Sequence, residues 1–257
     1  MKIQFALGAL VPAVAFAAGP FDGTWRTQPD SIQVAGKPEV YELKDGTYKC
    51  ASCAPPYSVK ADGADQKVAA HSYYDTVAVR VVDAHSVETA NKLAGKLIMS
   101  ASLVVSPDGS TLTETFKDMS GSQVATFKQV SKRVAAGPTG SHAISGSWKV
   151  EKMPEISDTG STVTYRMTGD GLQMQWNGQS YDAKFDGKKY LTANDPGKTW
   201  VSLKRISNDT IEETDSRDGK VTDVYRMTVS ADGKTMSVVD DDQAHGTTIK
   251  YRMLKQP

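Results

Sequence analysis

The sequence predicts an all-β protein made of two tandem antiparallel units, each closing into a barrel or a sandwich. Three observations lead there. First, the chain contains a diverged copy of itself, since Val105-Ser-Pro-Asp-Gly-Ser-Thr-Leu-Thr113 matches Val229-Ser-Ala-Asp-Gly-Lys-Thr-Met-Ser237. Asp232 against Asp108, Ile211 against Val87 and Tyr251 against Phe127 all differ by 124 positions (232 − 108, 211 − 87, 251 − 127). A unit of that length is large enough to be a domain, unlike the short repeats of a solenoid. Second, eight Asp-Gly pairs and Asn177-Gly178 punctuate the chain from residue 19 onward, and such pairs favour the two-residue hairpin turn whose central positions both need positive φ. Third, apolar residues between these pairs recur with period two, as in strands with one buried face.

The N-terminus comes first. Met1-Lys2, an apolar run over residues 3–16 and the small-residue pattern Ala15-Phe16-Ala17 read as a secretory signal peptide, residues 1–17, cleaved before Ala18. The run falls short of the roughly 20 residues that span a bilayer. The mature chain is therefore expected in the periplasm or the medium, with no membrane span. Thirty basic and thirty acidic residues cancel and are interspersed, which excludes the basic face of a nucleic-acid binder.

Repeat one is assigned to residues 18–134, a small-residue linker to 135–143, and repeat two to 144–257, with the halves expected to be separable at the linker. The strand phase places Val77, Val79 and Val81 inside with Val201 and Leu203. It likewise places Val221, Asp223, Tyr225, Met227 and Val229 inside, with Leu97, Met99, Ala101, Leu103 and Val105 as their twins. Residues 87–97 are the one stretch with possible helical spacing, but their twin, 211–221, reads as a hairpin about Asp218-Gly219.

Cys50-Ala-Ser-Cys53 supplies the only cysteines. A haem-attachment motif needs His where Ala54 stands, and a zinc site needs further ligands. In an oxidising compartment a local disulfide is expected, with a redox pair the alternative.

Gly23-Thr-Trp25 and Gly146-Ser-Trp148 open the two repeats. They resemble the Gly-x-Trp first strand of lipocalins and fatty-acid-binding proteins, and the chain as a whole resembles secreted, two-repeat lipocalin-like proteins of bacteria. It lacks the Thr-Asp-Tyr loop of true lipocalins and the helix after their barrel. The resemblance implies two tandem lipocalin-like β-barrels whose interiors hold a small hydrophobic, lipid-like ligand. Trp25 and Trp148 are then equivalent structural plugs, each stabilising its own half.

Three Tyr-Arg-Met triplets follow in the second repeat, at 165–167, 225–227 and 251–253. The alternation turns each Arg outward and leaves Tyr165, Tyr225 and Tyr251, with Phe127 as the twin of Tyr251, as candidates for lining a pocket. His71, His85, His142 and His245 are scattered without metal-ligand spacing, His71 and His85 being expected in exposed turns. Asp240-Asp241-Asp242 reads as a solvated turn. Glu88 and Glu212 coincide in both repeats without a coincident partner that would make an acid/base pair, and hydrolase, phosphate-loop and dinucleotide motifs are missing. No catalytic residue, metal or cofactor is assigned. The functional expectation is a non-enzymatic binding protein; the alternatives are a structural or protein-interaction module with filled barrels, and a lipocalin-like isomerase or hydratase.

Overall fold

The computed structural model describes residues 19–257. The signal segment and its cleavage point lie outside these residues. Within them the chain is almost entirely antiparallel β-sheet. In chain order the first part contributes β1 (Gly23–Thr27), β2 (Gln33–Gly36), β3 (Glu39–Lys44), β4 (Thr47–Cys50), β5 (Tyr57–Lys60), β6 (Gln66–Lys67) and β7 (Thr76–Val81). There follow β8 (Ser86–Leu93), β9 (Lys96–Val105), β10 (Thr111–Asp118), β11 (Ala125–Ala136), β12 (Gly146–Ile156), β13 (Thr162–Met167) and β14 (Gly171–Trp176). The chain finishes with β15 (Gln179–Lys184), β16 (Tyr190–Leu191), β17 (Trp200–Arg205), β18 (Thr210–Arg217), β19 (Lys220–Val229), β20 (Thr235–Asp242) and β21 (Thr247–Lys255).

These strands form two barrel-like sheets. The first runs β5-β4-β3-β12-β11-β10-β9-β8-β7-β6, and the second β15-β14-β13-β1-β21-β20-β19-β18-β17-β16, with β2 added beside β21. Each nearly closes: Asp62 bridges to Arg80 in the first and Ser180 to Ala193 in the second. Each wraps its own apolar core, one built on Leu43, Val77, Val79, Leu103 and Leu112, the other on Leu172, Val201, Leu203, Ile211 and Met236.

The opening strands are exchanged between the barrels. β1, from the first repeat, lies between β13 and β21, placing Trp25 opposite Val163 and Lys255. β12, from the second repeat, lies between β3 and β11, placing Trp148 opposite Glu39 and Arg133. The division drawn from the repeats, 18–134 against 144–257, therefore follows the duplication but not the sheets. The connection explains why. Residues 137–145 fold back tightly, with Ser141 N–H donating to Pro138 O (3.1 Å) and Ser145 N–H to His142 O (2.9 Å), so β12 returns alongside β11 instead of starting a fresh sheet.

Both tryptophans are fully buried, in the same local motif. Trp25 Nε1–H donates to Phe21 O at 2.8 Å and Trp148 Nε1–H to Ile144 O at 2.9 Å, four residues back in each case. A cation from the neighbouring strand lies over each ring: Lys255 over Trp25 and Arg133 over Trp148. The glycine two residues before each tryptophan is needed, both having positive φ. Gly146 has φ +142°, and a Cβ there would meet Ala135 O at 2.5 Å.

Turn chemistry accounts for much of the meander. Asp45-Gly46, Asn177-Gly178 and Asp218-Gly219 have positive φ at both positions, as does Ala94-Gly95, the twin of Asp218-Gly219. That fourth turn makes residues 87–97 a hairpin with no helix. Asp108-Gly109 and Asp232-Gly233 turn with positive φ at glycine alone, in a wider loop closed by Ser106 and Ser230 N–H donating to Thr111 and Thr235 O.

The alternation holds along most strands, but Leu97, Val221 and Val81 are exposed against expectation. For the first two a β-bulge is the cause. The register slips between Asn91 and Lys92 in β8 and between Asp215 and Ser216 in β18, leaving Ile98 and Thr222 as the extra residues. One extra residue reverses which face the rest of a strand presents. Val81 lies at the last position of β7, past the buried pair Val77 and Val79.

Candidate functional site

A cavity of about 310 Å³ opens inside the second barrel. The period-two alternation of β13, β19 and β21 aims Tyr165, Tyr225 and Tyr251 into its lining, while Arg166, Arg226 and Arg252 are exposed on the opposite face. Met174 and Trp176 of β14, Met227 of β19 and Met253 of β21 supply apolar wall. β18 adds two carboxyl groups, Glu213 and Asp215.

The polar part of this wall is unusual for a barrel interior. Glu213 is directly opposite Tyr225, which in turn is opposite Asp240, and Asp215 is opposite Asp223. Tyr181 O–H donates to Glu213 Oε2 at 2.6 Å. Removal from water pushes the Glu213 carboxyl up to about 7, against the stabilising Tyr181 hydrogen bond, and Asp240 up to about 7 by burial and its acidic neighbours Asp223 and Asp242. Asp215 is raised well above the ordinary carboxyl range, first by burial and then by Glu213 and Asp223. Asp215 Oδ1 and Asp240 Oδ1 are buried without a hydrogen-bond partner. Asp240-Asp241-Asp242 is thus no solvated turn: it ends β20, with Asp240 buried and Asp242 bonded to His245 Nδ1 at 2.7 Å.

The mouth of the cavity carries a group from the other end of the chain. Tyr73, from the irregular link before β7, joins the lining, and the Arg217 guanidinium lies over its ring at 4.8 Å. Gly197 seats that ring, since a Cβ there would meet ring carbons at 2.6 Å. Arg217 also donates through Nε to Thr199 Oγ1 at 2.8 Å and approaches Asp223 Oδ2 at 3.7 Å.

In the first barrel the inward positions carry a hydrogen-bonded network, and its Glu39, Tyr41 and Gln129 also line a larger cleft of about 1160 Å³. Glu114 is fully buried and accepts from Tyr41 O–H (3.2 Å) and from Gln129 Nε2–H (2.8 Å). The same Gln129 Nε2 donates to Glu39 Oε2 at 2.9 Å. Desolvation pushes Glu114 well up and Glu39 up, and the proximity of Glu39 raises Glu114 further. Tyr41 stacks on Tyr48, Tyr48 meets Tyr57 at a tilt of 41°, and His71 stacks on Tyr74 at 4.4 Å. His71 is therefore half-buried in an aromatic column, contrary to the exposed turn expected of it.

Phe127 does not line the cavity. Its ring lies one layer behind, against Gly160, where an added Cβ would meet it at 2.9 Å. Cys50 and Cys53 are joined as a disulfide, bordering a cleft of about 1160 Å³ lined by both barrels, with Arg217, Asp218 and His245 on the far wall. Among the described residues no three His, Cys, Asp or Glu side chains converge as metal ligands, and no helix is long and apolar enough to cross a membrane.

Sequence reasoning missed both carboxyl groups and Tyr73. It sought acidic pairs that coincide in the two repeats, whereas the twins of Glu213 and Asp215 are Thr89 and Asn91, and that of Glu114 is Val238. The signal was in the phase: Glu213 and Asp215 alternate with Ile211 on one face of β18. The chain matches no protein-family model and no curated protein sequence.

Proposed function

We propose that the protein is an exported, non-enzymatic binding protein that holds one small, partly apolar molecule inside its second barrel. The carrying observation is the cavity lined by Tyr165, Tyr225 and Tyr251. Its volume falls at the lower end of the roughly 300–1,000 Å³ common to ligand sites, and its mixture of methionine and aromatic wall with a few convergent polar groups is the usual composition of such sites. The lipocalin-like Gly-x-Trp openings support the same reading by resemblance. The signal segment supports export. For the first barrel a structural role is favoured by its hydrogen-bonded network of Tyr41, Gln129, Glu39 and Glu114.

Native mass spectrometry of protein purified from its source tests this. One retained small molecule per chain, lost on denaturation, is expected. A chain of bare polypeptide mass that also takes up no compound from a small-molecule screen would overturn the proposal.

A further inference from the structure

The cavity wall holds more acid than the barrel itself neutralises. Glu213 and Asp215 line the cavity, with Asp223 and Asp240 beside them on β19 and β20; Arg217 faces this group, and His245, bonded to Asp242, approaches it only at its Asp223 edge. Arg217 is already engaged by Asp223, Thr199 and the Tyr73 ring. Carboxyl groups directly opposite one another on adjacent strands destabilise a sheet when ionised. Asp215, 9% exposed and part of the cavity lining, leaves Oδ1 with no donor. A buried acceptor without a partner costs stability until something donates to it.

We infer that the molecule in the second barrel is a small protonated amine with an apolar tail, its ammonium group donating to Asp215 and flanked by the faces of the cavity tyrosines. This rests on the proposal that the second barrel binds a ligand, and adds the ligand's chemical class. An ammonium group supplies a positive charge and a hydrogen-bond donor to the Asp215 carboxyl, reached at the part of that side chain that borders the cavity. Tyrosine and tryptophan faces attract cations, and Tyr165, Tyr225, Tyr251 and Trp176 surround the space. Met174, Met227 and Met253 offer an adaptable apolar wall for the tail. An alcohol would donate but, being neutral, gains nothing from ionised carboxyls, and a carboxylate would oppose their ionisation. A bare metal ion lacks converging ligands among the described residues.

Binding of the amine depends on pH. Facing Glu213 and Asp215 are Arg217 on the same strand, Asp223 and Tyr225 on β19, Asp240 on β20 and Tyr251 on β21. Across the barrel stand Tyr165 and Tyr181, and at the mouth Tyr73. Burial pushes all these phenols up, so they stay neutral near pH 7. Burial holds a proton on the carboxyls of the empty barrel, and an incoming cation favours their ionised forms, so binding releases protons and tightens as pH rises from about 6 to about 8, where an alkylamine keeps its charge.

Isothermal titration of the full mature chain with butylammonium, butan-1-ol and butanoate is the test. Expected are one butylammonium per chain, about tenfold or more preferred over butan-1-ol, loss of that preference in Asp215→Asn, and proton release seen as a buffer-dependent heat. Glu213→Gln serves as a second charge-removing variant, and thermal unfolding checks that both fold. Butan-1-ol or butanoate binding as well as butylammonium, with Asp215→Asn indifferent, would overturn the amine while leaving a binding barrel. The same holds if none of the three binds to protein that retains another molecule. No binding and no retained molecule would remove both readings.

Discussion

The two barrels share a frame and differ in what fills it. Both open with a buried tryptophan bonded four residues back, both carry the bulge at twin positions Asn91 and Asp215, and both turn at the twin pairs Ala94-Gly95 and Asp218-Gly219. Inside, the first barrel has Ala101 where the second has its twin Tyr225, and Cys50 where the second has Met174. Each barrel leaves an oxygen unpartnered beside its bulge, Asn91 Oδ1 or Asp215 Oδ1. In the second barrel that residue borders a cavity and carries a titratable charge. The difference teaches that turns, bulges and the plug specify the barrel, while the interior positions between them are free to become either hydrogen-bonded network or cavity wall.

The largest expected effect comes from the exchanged strands. Trp25→Ala removes a fully buried indole and should cost about 3–5 kcal/mol, felt by the second barrel, where Trp25 packs with Leu172 and Met236. Trp148→Ala should cost as much in the first. Hydrogen exchange resolved by peptide should show new opening over residues 162–255 for Trp25→Ala and over residues 39–136 for Trp148→Ala. The reverse pattern would place each tryptophan in its own repeat and break the exchange.

A smaller effect sharpens the contrast between the interiors. Glu213 has its carboxyl raised from 4.5 to about 7 by burial. Between those values the folded chain holds a proton that the unfolded chain has lost, so stability is full below the lower value and falls as pH rises through the upper. Raising pH from about 5 to about 8 should destabilise the empty barrel by on the order of 2 kcal/mol. Thermal unfolding across that range measures it, and Glu213→Gln should make the profile shallower by the Glu213 share, leaving the slope that Asp215 and Asp240 contribute. A profile already flat in the unsubstituted chain would show that Glu213 is ionised when empty.

Much of this was legible in the residues. Duplication, strand phase and the Asp-Gly turns led to two antiparallel barrels because each is a local rule of backbone geometry. Tyr165, Tyr225 and Tyr251 were found for the same reason. Strand exchange was not legible: the composition of the linker assigned to residues 135–143 says that the chain turns there, and only pairing decides which sheet it turns into. Bulges hid Leu97 and Val221 by shifting the phase by one. Tyr73 came from an irregular link with no periodicity to read, and Glu213 and Asp215 were passed over because their twins are uncharged.

Carbon-13 methyl spectra of methionine-labelled protein, titrated with butylammonium and with butan-1-ol as its neutral counterpart, test the location of the site whichever probe binds. Met174, Met227 and Met253 line the second barrel's cavity, Met153 lines the cleft between barrels, and Met99 lies on β9 of the first barrel. A ligand inside the second barrel shifts the first three together and saturates them at one equivalent, leaving Met153 and Met99 where they were. Shifts confined to Met153 or Met99 would contradict it.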